Sequence, residues 1–202
     1  MRRFEPGRVV EGLRIERELG RGAFGTVYLA EDELLGRRVA LKVVETPAPS
    51  MRDRGLKEAR VVARLHSPSI VTLYRVHPLD DEAGWLLEME YVAGGSLKDL
   101  VAPGEPLPPS RAAAIAAGVL DALRVAHEAG VVHGDVKPGN VLLERTGAVK
   151  LADFGLSWLI DDVSLSSVTA APAGTPAYMA PEIVLGERNQ QPSDVWSVGV
   201  ML

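Results

Sequence analysis

Three glycines, one lysine and a later run of carboxylates are the residues here whose types and spacing suit chemistry on phosphate. Gly20-Arg21-Gly22-Ala23-Phe24-Gly25-Thr26-Val27 reads G-x-G-x-x-G-x-V. Glycines at this spacing permit a tight turn and let backbone N–H groups approach phosphate oxygens. Dinucleotide-binding folds carry a similar string between a strand and a helix. Here strand-like segments lie on both sides, so the loop caps a hairpin; an ordinary Gly-rich hairpin is the other reading of these residues alone. Lys42 then sits inside the apolar run Val39-Ala40-Leu41-Lys42. A buried ammonium is costly unless paired. Either Lys42 snorkels to solvent, or it pairs with a carboxylate such as Glu58 on the following segment.

These residues need elements to hold them. Period-two alternation predicts a strand at residues 13–19, and residues 26–30, 38–44, 71–76 and 85–91 also read as strands. Leu56, Ala59, Val62 and Leu65 give residues 51–65 a helical stripe. Gly94-Gly95 reads as a hinge or turn. Ile115, Val119, Leu123 and Ala126 predict a helix over 110–128, with Ser110 as N-cap and Gly130 as stop. Short strands follow at 141–143 and 149–151, then a polar loop at 161–174. Ser193 is the expected cap of a last helix over 194–202. Strands plus one helix, followed by a mainly helical part, is an α+β, two-lobed pattern, with domains expected at 1–92 and 93–202.

The chain has 202 residues, 47% hydrophobic, with 22 basic and 27 acidic side chains and a net charge of -5. That balance argues against non-specific nucleic-acid binding. The absence of cysteine excludes disulfides, thiolate metal sites and cysteine nucleophiles. No secretory h-region and no run of about 18 apolar residues is visible. A cytoplasmic location is expected, with an anchor after Leu202 left open.

Further along stand His133-Gly134-Asp135-Val136-Lys137-Pro138-Gly139-Asn140, then Asp153-Phe154-Gly155, then Gly174-Thr175-Pro176-Ala177-Tyr178-Met179-Ala180-Pro181-Glu182. With the glycine string and Lys42, these strings resemble the eukaryotic-type serine/threonine protein kinases, in order and over residues 13–202. The resemblance implies ATP and Mg2+, or Mn2+, as cofactors and Ser/Thr-containing proteins as partners. It implies that Leu19, Gly20, Gly22, Gly25 and Val27 cover the nucleotide, and that Lys42 holds phosphates and pairs with Glu58. Ala40, Met89, Glu90, Val92 and Leu142 would meet the adenine, with Tyr91 in the same hinge. Asn140 and Asp153 would bind metal. Asp135 would take or orient the acceptor proton, Lys137 would neutralise the transferred phosphoryl, and Thr175 marks the Ser/Thr class. Val62, Leu73, His133 and Phe154 match an apolar stack. Asp194 resembles an aspartate that supports the catalytic loop; Trp196 is expected in the core, and His66, His77 and His127 in structural or surface roles.

Two departures stand out. Gly134 replaces the arginine that receives an activation-loop phosphate in many members, and Ala171 occupies the usual acceptor position. Activity independent of that phosphorylation is therefore expected, with Ser157, Ser164, Ser166, Ser167 and Thr169 as other modifiable residues. By the resemblance, residues 198–202 fall within a central helix of the larger lobe. The chain is accordingly expected to be a fragment with low activity by itself, and Glu182 to lack its arginine partner. A non-catalytic ATP-binding fragment, a small-molecule kinase and a structural interaction fragment remain the alternatives.

Overall fold

Alternation in the first part of the chain builds one antiparallel sheet. The computed structural model describes residues 3–22, 25–45, 56–57, 59–79, 84–101, 105–154 and 175–202. The strands are β1 (Val9–Val10), β2 (Leu13–Gly22), β3 (Gly25–Asp32), β4 (Arg37–Glu45), β5 (Leu73–Pro78) and β6 (Gly84–Glu90), in the order β1-β2-β3-β4-β6-β5. The predicted strands at 71–76 and 85–91 are thus shifted by one or two residues. β2 runs on through Gly22, so the first half of the glycine string is strand. Residues 56, 57 and 59–62 are helical, and the helix gives way to a turn at Ala63, short of the expected Leu65.

Period two gives this sheet two faces. Leu13, Ile15, Tyr28, Ala30, Val39, Leu41, Val43 and Leu86 pack on one, and Phe4 and Leu79 close over them. Phe4 stacks near Tyr28 at 5.6 Å, and its N–H donates to the Tyr28 hydroxyl at 3.2 Å. Burying a side chain of that kind contributes about 1.5–3 kcal/mol. Glu88 lies on the same face, 1% exposed. A buried carboxylate requires a partner; Arg37 Nη2 meets its Oε1 at 3.2 Å while the guanidinium stacks 4.2 Å over Tyr74.

The chain divides into two compact units, Met1–Ala63 with Thr72–Tyr91, and Arg64–Val71 with Val92–Leu202. In the second unit the elements are α1 (Leu97–Leu100), α2 (Pro109–Glu128), β7 (Val141–Leu143), β8 (Val149–Leu151), α3 (Pro181–Val184) and α4 (Gln191–Met201). Ile115, Ala116, Val119, Ala122, Leu123 and Ala126 form the buried stripe of α2, at the spacing of one helix face. Ser110 is not its N-cap: Pro108 holds that position and Pro109 is the first helical residue, where a missing N–H costs nothing. Nor does Ser193 cap the last helix. Gln190 does, in a reciprocal capping box with Ser193, and the helix starts three residues before the expected Asp194. Gly94-Gly95 is a tethered turn, its Gly95 carbonyl accepting from Leu143 N at 2.9 Å. Trp196 is 48% exposed, against the expectation of a core position. The packed face of α4 is instead Ser193, Asp194, Ser197 and Val198, and Trp196 falls opposite. Among the described residues, no helix is long and apolar enough to cross a membrane.

Candidate active site

The loop between α2 and β7 carries His133, Asp135, Lys137 and Asn140. It is anchored first by His133, which is 1% exposed. His133 Nε2 lies 2.8 Å from the Ala152 carbonyl, and its Nδ1 accepts the Asp135 N–H at 3.2 Å. A carbonyl can only accept and an N–H can only donate, so these bonds select the Nε2–H tautomer. The ring also meets Phe154 edge-on at 4.7 Å. The backbone is held from the other side by Asp194 of α4, whose Oδ2 accepts from His133 N and whose Oδ1 accepts from Gly134 N, both at 2.8 Å. Gly134 has φ 77°, a left-handed conformation that glycine adopts without steric cost.

So held, Asp135 becomes the centre of a polar cluster. Lys137 Nζ lies 2.5 Å from its Oδ2. Asn140 Nδ2 donates to the Asp135 carbonyl at 2.8 Å and to Oδ2 at 3.3 Å. Thr175 Oγ1 donates to Oδ1 at 3.5 Å, a long contact. Asp135 and Lys137, the metal candidate Asn140 and the class-marking Thr175 therefore converge. The β7–β8 hairpin explains the position of the metal candidates. Val141 pairs with Leu151, so Asn140 and Ala152 leave the ladder at the same end, and Asn140 O accepts from Ala152 N at 2.8 Å. Asp153 follows directly, with φ 67°, a conformation uncommon for any residue but glycine and typical of functional sites.

In the first unit the sheet register groups the nucleotide candidates. Val27 pairs with Lys42 and Lys42 with Leu87; Ala40 pairs with Met89. Alternation thus sets Val27, Ala40, Lys42 and Met89 on one face, opposite the Phe4-capped core. Lys42 is 4% exposed, which removes the snorkelling alternative. Leu19 is half-buried at a register irregularity between Glu18 and Gly20. The three glycines of the string differ. A Cβ on Gly25 would lie 1.8 Å from the Val43 carbonyl oxygen, whereas one on Gly20 or Gly22 would meet no atom of the described residues within 4 Å. Glu90 N–H donates to Thr72 O at 2.9 Å, and the Glu90 carboxylate accepts from Thr72 N at 3.2 Å. Val62 is buried and Leu73 half-buried. In the second unit Val92 is buried and Leu142 is half-buried on β7. Glu58, Gly155, Ser157, Ser164, Ser166, Ser167, Thr169, Ala171 and Gly174 lie outside the described residues.

Three supporting side-chain contacts carried no sequence signal. His127 Nε2 lies 2.7 Å from Asp194 Oδ2. Ser193 Oγ donates to Glu182 Oε1 at 3.2 Å, so the half-buried Glu182, expected to lack an arginine partner, is bonded by a neutral hydroxyl. Ser197 Oγ donates to Tyr178 O at 2.7 Å and fixes the turn that follows Thr175. Each contact joins residues at least 11 positions apart, beyond the reach of local pattern.

The family model described as protein kinase domain matches residues 13–202. Among curated relatives, the probable serine/threonine-protein kinase SCO3848 of Streptomyces coelicolor is 38% identical over 204 residues, covering 98% of this chain and 30% of its own length. The serine/threonine-protein kinase PknB of Mycobacterium leprae is 40% identical over 189 residues, covering 91% of this chain and again 30% of its own length. Among solved structures, the PknI kinase domain of Mycobacterium tuberculosis superposes with a TM-score of 0.74 at 29% identity, covering 97% of this chain and 74% of that one. The chain thus spans about 30% of the length of the curated relatives it matches. With the two-lobed α+β order and the Asp135 cluster, these matches make the chain a member of the protein kinase family.

Proposed function

We propose that this chain carries the catalytic apparatus of an ATP:protein serine/threonine phosphotransferase with a His-Gly-Asp catalytic loop. The observation that carries the reading is the convergence of Lys137, Asn140 and Thr175 on the Asp135 carboxylate. Phosphoryl transfer demands alignment and charge neutralisation more than covalent chemistry. Asp135 orients a Ser or Thr hydroxyl and accepts its proton as the new O–P bond forms and the bond to ADP breaks. Lys137 neutralises the moving phosphoryl group. Lys42 holds the α- and β-phosphates, under the loop from Leu19 to Val27. The open space beside Gly20 and Gly22 supports that reading, since among the described residues nothing requires glycine there. Val27, Ala40 and Met89, on one face of the first unit's sheet, are the apolar contacts assigned to adenine. The Glu90 N–H is committed to Thr72, so the Glu90 carbonyl is the group assigned to the adenine edge.

Protein kinases use ATP with a divalent cation, and the residues present suit one. Asn140 spends its Nδ2 on Asp135, which leaves its Oδ1 for a cation, and the Asp153 carboxylate follows the same hairpin end. Oxygen donors favour a hard ion such as Mg2+, with Mn2+ as the second choice. No group of three or more His, Cys, Asp or Glu side chains able to hold a metal occurs among the described residues. That fits an ion that completes its shell with phosphate and water oxygens. When bound, the cation neutralises phosphate charge.

Gly134 offers no guanidinium to an activation-loop phosphate, so activity is assigned to a form that needs none there. The test is incubation of the full chain with γ-labelled ATP and a mixed protein substrate. Phosphoserine and phosphothreonine are the expected products; phosphotyrosine alone, or nucleotide binding without transfer, would overturn the reading, the latter in favour of a non-catalytic module.

A further inference from the structure

Glu88 of β6 is buried on the Phe4-capped face of the first unit's sheet, with its side chain 1% exposed. Arg37 Nη2 reaches one of its oxygens, Oε1, at 3.2 Å. The other oxygen, Oε2, has no hydrogen-bond partner among the described residues, and neither has Nε2 of His77 on β5. These two buried atoms face each other at 3.7 Å. On the other side of the ring, His77 Nδ1 lies 3.5 Å from Oε2 of Glu11, in the turn between β1 and β2. A third unpartnered atom, Arg37 Nε, lies 3.7 Å from Asp32 Oδ2.

We propose that Glu88 Oε2 and His77 Nε2 form a buried water-binding site, in which one water donates a hydrogen bond to each. A carboxylate oxygen can only accept, and an imidazole with one N–H accepts through its other nitrogen. Nδ1 is the nitrogen set against the Glu11 carboxylate, so it carries the N–H and Nε2 turns a lone pair toward Glu88. Two acceptors cannot bond each other, and a molecule with two O–H groups resolves the conflict. The 3.7 Å separation lets its oxygen stand about 2.8 Å from both. Buried polar groups left unpaired are costly, and two polar partners are enough to hold a buried water. The lone pairs of the water stay open to a donor, and Arg37 Nε is the unpartnered donor of the cluster. The alternative is a ring with protons on both nitrogens that pairs directly with Glu88 and Glu11. Such a ring would draw both carboxylates in, yet at 3.7 and 3.5 Å neither contact has closed to hydrogen-bond length. The site ties β5 to β6 on the face opposite Met89, a part of the sheet to which the nucleotide reading assigns no role.

The proposal does not rest on the phosphotransferase reading. It is tested on the full chain by NMR with isotope-labelled histidine, and the probe is water itself. The expected result is a His77 ring with its proton on Nδ1 and a bare Nε2. A cross-peak should join the His77 Cε1–H to a water that stays bound longer than the molecule takes to tumble. Glu88→Gln keeps the shape of the side chain and brings an NH2 group that donates to Nε2 directly. It is therefore expected to lose the cross-peak while the ring keeps the same tautomer. A cross-peak that persists in Glu88→Gln overturns the proposal. So does a wild-type ring protonated on both nitrogens, a ring with its only proton on Nε2, or a His77 with no long-lived water beside it. Should Glu88→Gln fail to fold, the wild-type tautomer and cross-peak decide the question alone, and either one missing overturns the proposal.

Discussion

Replacing the three glycines of the nucleotide loop one at a time separates what the fold needs from what a ligand needs. At Gly25, φ is 140° and a Cβ would stand 1.8 Å from the Val43 carbonyl oxygen and 2.9 Å from its carbon. An ordinary contact needs well over 3 Å, and both obstructing atoms are backbone in the adjacent strand. Relief requires β3 to lift from β4 at the Thr26–Val43 pair. Overpacking costs about 1–3 kcal/mol, and a disfavoured backbone conformation about 1–3 kcal/mol more. Gly25→Ala should therefore lose about 3–5 kcal/mol, a large part of the roughly 5–15 kcal/mol that holds a domain folded. For a chain of this size that is a drop in Tm on the order of 10 °C. Gly20→Ala and Gly22→Ala meet no atom of the described residues and need no positive φ. They should leave Tm within about 2 °C, or raise it slightly by restricting the unfolded chain, while weakening ATP binding. Thermal denaturation followed by nucleotide titration of the three variants reads both effects. A Gly25→Ala variant that melts with the wild type would refute the packing argument. Unchanged ATP affinity in both Gly20→Ala and Gly22→Ala would refute the phosphate-loop assignment.

Asp194→Asn places an NH2 group against at least one of three buried donors; the expected loss is about 3–5 kcal/mol, read as a lower urea midpoint at constant m-value. Ser193→Ala removes the donor to Glu182 Oε1 and one half of the α4 capping box, for an expected loss of about 1 kcal/mol in the same assay. The Asp99 carboxyl is held below its usual range by the Ser96 hydroxyl, then by the Ser96 N–H. A carboxyl depressed in the folded state adds stability that is present above its unfolded value of about 3.9 and is lost as pH falls through the lower folded value. Ser96→Ala should raise the Asp99 titration midpoint, measured by NMR, and shrink that acid-side dependence; an unmoved midpoint would contradict the assigned cause.

The parts of the fold that follow local rules were legible in the sequence. Strand-like apolar runs located the strands that carry Val27, Ala40 and Lys42, and a stripe at helical spacing located α2. Boundaries failed where cap chemistry competed. Ser110 and Ser193 look like N-caps, yet Pro109 and Pro192 sit in the first turns and move each start upstream. The catalytic strings resembled a known family, so Asp135, Lys137, Asn140 and Thr175 were nameable before their convergence was visible. What could not be read were contacts made by tertiary approach alone. Glu88 looks like a solvated strand charge until Arg37, 51 positions away, covers it. His127 looks like a surface residue until α4 brings Asp194 to it across 67 positions. Trp196 looks like core because it is large and apolar, but the inward face of α4 is taken by smaller residues.

The central claim is that Asp135 serves the transfer step and not nucleotide binding. The direct measurement is the phosphotransfer rate of Asp135→Asn beside its affinity for Mg-ATP, in the full chain. Loss of about 10²–10⁴-fold in rate, the usual contribution of a positioned acid or base, with affinity within about threefold of wild type, is the predicted result. A rate within about tenfold of wild type, or a loss of transfer fully explained by lost nucleotide binding, would contradict the account.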